Sequence, residues 1–257
     1  MNIAVVSPLR TSHGGALWVG LLSLVVAGVC SPAMAQEDPA LVGKWDPPPG
    51  GYDWPLEAMH AVHLSTGNIV VWKNPDNPVC PHEESAWLWN PVSGSFTNVA
   101  PNPASFQTFD CAGHAAVADG SILVAGGGCG PVNAHNETAI FSMSSGPWTV
   151  VAPMNYRRWY ATCTTLPDNR VLAISGAYDY DFVNEVYLYV TRPEIYIPGT
   201  PDMWVEMGQP ADKQLPLYPF MFVLPQQDKV FYAGPRILTY HSTLRRGCGP
   251  TWILAGR

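Results

Sequence analysis

Apolar and polar positions along the chain follow a pattern that recurs four times. A short apolar strand enters a tight turn and leaves through a second strand rich in β-branched residues, over residues 61–72, 114–127, 161–176 and 220–234. The turns end at Gly67, Gly120, Asn169 and Asp228, about fifty residues apart. Gly, Asn and Asp at such positions suit the positive φ that hairpin turns demand. Between hairpins lies a second unit, an aromatic strand, a Gly-containing turn and another strand, at residues 86–101 and again at 139–153. Four strands in about fifty residues is the rhythm of a propeller blade. The pattern therefore predicts an all-β β-propeller with about four blades, over residues 36–257 as one domain.

Composition narrows the functional classes. The chain has 257 residues, 13% of them charged, with 23 Gly, 26 Pro and 10 Trp. So few charges and so many turn formers argue against long solvated helices and against disorder. Residues 1–35 read as a signal peptide: Arg10, an apolar run at 16–29, then Ala33-Met34-Ala35 before Gln36. That run is short of the ~20 residues a membrane span needs. The mature protein is expected to be secreted or periplasmic, with no membrane association after cleavage. A formal net charge of −7 and no basic cluster leave nothing to neutralise phosphates, so nucleic acid is excluded as a partner. Cys30 leaves with the signal, and Cys80, Cys111, Cys129, Cys163 and Cys248 remain. An odd number in an oxidising compartment requires one free or modified cysteine.

The glycine run at 126–130 lacks the Gly-Lys-Ser/Thr of a phosphate loop, so it reads as a strand end where backbones approach closely. Asn136-Glu137-Thr138 is a glycosylation sequon or simply a polar loop. Counting back six residues from the last apolar residue of each first hairpin strand gives Ala58, Cys111, Tyr160 and Tyr218. Cys111 and Tyr160 thus hold equivalent places in successive repeats, where a thiol and a phenol can face one another. A small buried thiol and an ordinary strand-end aromatic satisfy the same spacing.

The runs Phe109-Asp110-Cys111-Ala112-Gly113 and Arg158-Trp159-Tyr160-Ala161-Thr162 are followed by Tyr218-Pro219 and a strand ending Val230-Phe231-Tyr232-Ala233-Gly234-Pro235. Together, in that order, they resemble the galactose oxidase and glyoxal oxidase family, kelch-type copper radical oxidases. The resemblance covers residues 45–257 and only the N-terminal part of a family member. It implies that Cys111 forms a thioether to the ring carbon ortho to the Tyr160 hydroxyl, and that this phenolate binds copper and stores a radical. The pair would take two electrons from an alcohol, aldehyde or carbohydrate, and oxygen would leave as hydrogen peroxide. The thioether would account for the odd cysteine, leaving Cys80, Cys129, Cys163 and Cys248 as thiols or in up to two disulfides. Tyr178 falls where the family stacks a ring over the cross-linked tyrosine; galactose oxidase has Trp there.

The family also needs a second Tyr followed directly by His, and a further His from a later domain. Tyr240-His241 matches in letters, but the repeat register places both on a structural strand. His60 and His63, three apart on a strand, point to opposite faces, and His82, His114 and His135 offer no ligand pattern. The expected metal shell is therefore incomplete beyond Tyr160. Four repeats are also fewer than the seven blades of the family ring, which predicts a truncated form that is oligomeric or in need of a C-terminal part. The alternative is a non-catalytic kelch propeller that binds carbohydrate or protein through its loops.

Overall fold

The computed structural model describes residues 53–73, 85–101, 108–143, 146–225, 229–234, 240–243 and 252–254. The expected signal peptide, the turn at Asp228, Cys80, His82 and Cys248 lie outside them.

The described residues form four-stranded antiparallel sheets, each built in chain order. The first is β1 (His60–His63), β2 (Ile69–Lys73), β3 (Ser85–Trp89) and β4 (Phe96–Asn98). The second is β5 (Gly113–Ala116), β6 (Ile122–Ala125), β7 (Thr138–Ser142) and β8 (Gly146–Val151). The third pairs β9 (Thr162–Thr165), β10 (Val171–Ile174), β13 (Glu194–Ile197) and β14 (Met203–Glu206). An extra hairpin, β11 (Ala177–Asp181) and β12 (Val186–Tyr189), is inserted between β10 and β13. The fourth sheet is β15 (Met221–Leu224), β16 (Lys229–Tyr232), β17 (Tyr240–Thr243) and β18 (Trp252–Leu254). Tyr240 and His241 pair with Tyr232 and Phe231 on one side and with Leu254 and Ile253 on the other, as the repeat register predicts. Among the described residues, no helix is long and apolar enough to cross a membrane.

The second strand of each hairpin explains how the sheets associate. All four residues of β6 and of β10 are buried, although successive strand residues face opposite ways. Both faces must therefore be covered. Ile122 and Val124 pack with Leu64, Val70 and Trp72 of the first sheet. Leu123 and Ala125 pack with Val171, Ala173 and Tyr196 of the third. On β10 the division repeats, and Leu172 joins Val230, Met221 and Val223 of the fourth. Each fully buried aliphatic contributes about 1.5–3 kcal/mol, so the sheets stack face to face in chain order. The matching end of every sheet is thereby brought to one place.

Turn chemistry follows the sequence. Gly67, Gly120 and Asn169 all have positive φ, at 85°, 83° and 66°. The glycine run is a close approach of backbones. Gly127 has φ 108°, and a Cβ built on it would lie 2.7 Å from the Asp110 carbonyl oxygen. Its N–H donates to the Arg158 carbonyl at 2.8 Å, and the Gly128 N–H donates to the Asp110 carbonyl at 2.9 Å. Gly127→Ala is expected to cost about 1–3 kcal/mol from the backbone conformation alone, read as a lower urea midpoint with an unchanged m-value. An unchanged midpoint would contradict this packing.

Candidate functional site

Three residues that the repeat register makes equivalent share one unusual backbone conformation. Cys111, Tyr160 and Tyr218 have φ of 59°, 63° and 46°, in the left-handed region that non-glycine residues seldom occupy. Hydrogen bonds between successive sheets hold them there. The Tyr160 N–H donates to the Cys111 carbonyl and the Tyr218 N–H to the Tyr160 carbonyl, each at 2.9 Å. At the first sheet a side chain takes the acceptor's part: His60 Nε2 accepts the Cys111 N–H at 3.2 Å. Conformational strain of this kind persists only where surrounding contacts over-determine it.

The arrangement brings Cys111 and Tyr160 together, close enough for each to bias the other's protonation. Burial pushes the Cys111 thiol up to about 12, opposed by its interaction with the Tyr160 hydroxyl. Burial also raises the Tyr160 phenol above its ordinary value, helped by the Cys111 thiol and the Asp110 charge. Both groups are thus neutral at physiological pH. Among the described residues, the rings stacked on Tyr160 are Trp159, at 3.6 Å and 13°, and Tyr218, at 4.5 Å and 23°. Neither stacking role was read from the sequence, although Tyr218 was already present in the register set.

Tyr178 is 40% exposed and lines an open cleft of about 520 Å³ with Asn155, Tyr156, Arg157, Tyr189, Arg192 and Asp212. Of the two rings stacked on Tyr160, Trp159 is its own chain neighbour. The Trp159 backbone exchanges two 2.8 Å hydrogen bonds with Ala177, which starts the inserted hairpin.

Arg158 anchors the segment that carries Tyr160. It and Glu194 are both fully buried. The guanidinium donates from Nε and Nη2 to Glu194 Oε2, at 3.1 and 2.8 Å. It also donates to the carbonyls of Ser175 at 2.8 Å and Arg192 at 2.6 Å. Glu194 Oε1 accepts from the backbone and side chain of Asn155 at 2.6 and 2.8 Å, and Oε2 accepts the Tyr156 N–H at 3.3 Å. Such a pair withstands burial because four of the five guanidinium N–H groups and both carboxylate oxygens find partners.

Two histidines make a contact that the sequence did not mark. His60 stacks on Trp72 at 5.0 Å and 9°, and meets His114 edge-on at 5.6 Å. Sequence reasoning treated them separately because they belong to different sheets. Burial lowers both imidazoles to about 4, His114 further through His60. A base whose folded pKa lies below its unfolded value of 6.5 binds its proton more readily when unfolded. Stability from these two groups is complete above pH 6.5 and falls as the pH drops towards 4. The urea midpoint is expected to fall over that window, and His114→Phe to flatten the fall; equal pH profiles for the two proteins would contradict this. His135 is buried, with Nε2 against the Thr108 carbonyl at 2.5 Å.

The cysteines fall within the range that the sequence left open: Cys129 is disulfide-bonded, and Cys163 is a buried free thiol. Cys163 packs where a Cβ on Gly113 would lie 2.9 Å from its sulfur. Burial pushes this thiol up to about 12.

No family model and no curated protein matches the chain. Among solved structures, a fungal alcohol oxidase of the AA5 family, determined in complex with copper, matches with a TM-score of 0.58. The two chains share a fold. The match covers 76% of this chain and 40% of the fungal oxidase, at 21% identity. This chain therefore spans less than half of that oxidase's length.

Copper accompanies the fungal oxidase, and the described residues fit only part of what a copper centre needs. Among them, no three His, Cys, Asp or Glu side chains are grouped to hold a metal ion. His60 Nε2 is committed to the Cys111 N–H, and His135 Nε2 to Thr108. The Tyr160 oxygen is the donor that this site offers.

Proposed function

We propose that the chain is the N-terminal part of an exported copper radical oxidase similar to galactose oxidase and glyoxal oxidase. In this reading the stacked sheets are blades of a kelch-type β-propeller, and the redox residue is a cross-linked Cys111–Tyr160 pair. The observation that carries it is the convergence of a thiol and a phenol from adjacent sheets, at equivalent backbone positions locked by one hydrogen bond.

A carbon–sulfur bond between the two would form with loss of the thiol hydrogen and one ring hydrogen. The two electrons and two protons released reduce oxygen to hydrogen peroxide. A sulfur substituent ortho to the hydroxyl makes the ring easier to oxidise, and the Trp159 and Tyr218 rings stack beside it. Copper bound at the Tyr160 oxygen would supply the second one-electron step of a two-electron oxidation. Its other donors would come from polypeptide outside the described residues.

The substrate class is primary alcohols, aldehydes or sugars. Copper-supplemented protein is expected to release peroxide with a member of that panel and Tyr160→Phe to release none; equal release from both would contradict the proposal.

One observation favours a second reading. The cleft sets Tyr156, Tyr178 and Tyr189 among Asn155, Arg157 and Asp212, a mixture of rings and polar groups that suits carbohydrate binding without catalysis. Saturable sugar binding that is lost in Tyr178→Ala, with no peroxide from any substrate, would support this reading instead.

A further inference from the structure

The rings beside Tyr160 continue outward to the surface. Trp159 stacks on Tyr160 at 3.6 Å, and Tyr187 of β12 lies 5.8 Å from Trp159. Tyr187 is 37% exposed and touches Tyr180 at 5.2 Å. Tyr160 is thus joined to solvent by two short steps between oxidisable rings, along a hairpin that only the third sheet carries among the described residues. The two backbone hydrogen bonds between Trp159 and Ala177 fix that hairpin to the residue adjoining Tyr160.

We propose that Trp159 and Tyr187 form a one-electron conduit, through which an outer-sphere oxidant at the β12 surface withdraws an electron from Tyr160 without touching it. The inference rests on Tyr160 being the redox residue.

Electron tunnelling decays steeply with distance, so two short steps outrun a single long one. Oxidation starts at the exposed Tyr187. The electron vacancy passes to Trp159 and then to Tyr160, and the external oxidant is reduced by one electron. Tyr160, which is only half-buried, releases its phenolic proton to water and is left as a neutral radical. Trp159 suits the middle position because its ring lies against both Tyr160 and Tyr187. A ring cluster whose only role was to cover the hairpin would be served equally well by phenylalanine, which does not relay electrons.

The test uses the full chain free of metal, with photogenerated tris(bipyridine)ruthenium(III) as the oxidant. The radical at Tyr160 is read by electron paramagnetic resonance and assigned by its loss in Tyr160→Phe. Trp159→Phe and Tyr187→Phe keep a ring at each place, and thermal melts confirm that each variant is folded. We expect the yield of the Tyr160 radical to fall at least tenfold in both variants. An unchanged yield in both overturns the conduit and leaves Tyr160 as the redox residue. Absence of a Tyr160 radical in the unaltered chain overturns the reading of Tyr160, and the conduit with it.

Discussion

Glu194→Gln is expected to lower the melting temperature by on the order of 10 °C, which corresponds to a loss of about 3–5 kcal/mol. The substitution keeps the side chain's shape and removes its charge. The Arg158 guanidinium is then left fully buried beside a neutral amide, although it now donates twice to Glu194 Oε2. An amide has one acceptor oxygen and one donor nitrogen, so it cannot serve Arg158, the Tyr156 N–H and both donors of Asn155 together. Burial already lowers the Arg158 pKa, and Glu194 is the main group opposing that shift. Replacing both partners with Met should recover part of the loss, since an uncompensated charge costs more than an absent pair. Recovery stays incomplete because the Asn155 and Tyr156 donors remain unsatisfied. A Glu194→Gln protein that melts with the unaltered chain would show that the pair does not hold this segment. Tyr160 lies two residues from Arg158, so the same variant should also weaken any activity that depends on Tyr160.

Cys111→Ser carries the largest expected effect on function. The hydroxyl replaces the thiol with little change of volume, and the left-handed backbone at φ 59° is held by main-chain and His60 contacts. Folding should therefore be nearly unaffected. Under the proposed function, no thioether can then form, and Tyr160 stays an ordinary phenol that is harder to oxidise. Peroxide release is expected to fall by two orders of magnitude or more, a barrier increase of about 3 kcal/mol. If Cys111→Ser turned over as fast as the unaltered chain, sulfur would have no part in the chemistry.

The features legible in the sequence were those written into its repeat. The four hairpins follow from alternation and turn residues, and the six-residue count that aligned Cys111, Tyr160 and Tyr218 recurs as one backbone conformation. The sheet pairing of Tyr240 and His241 followed from the same register. The features not legible were contacts between repeats. Arg158 and Glu194 lie on different elements, and no local pattern marks them as partners. His60, Trp72 and His114 converge only because β2 and the second sheet pack face to face. The inserted hairpin interrupts the third repeat, and its alternating Tyr and Asp residues gave no sign of where it would sit. The burial of Cys163 against Gly113, which excludes it from a disulfide, depends on the approach of β5 to β9. Trp159 as a ring stacked on Tyr160 follows from a backbone turn that φ records and composition does not.

The most direct test of the account is peptide mass mapping of the chain after aerobic incubation with copper and reduction of its disulfides. The account predicts one branched species that joins the peptides bearing Cys111 and Tyr160, lighter than their sum by two hydrogen atoms and absent from Cys111→Ser. Recovery of both peptides as separate, unmodified species would contradict it.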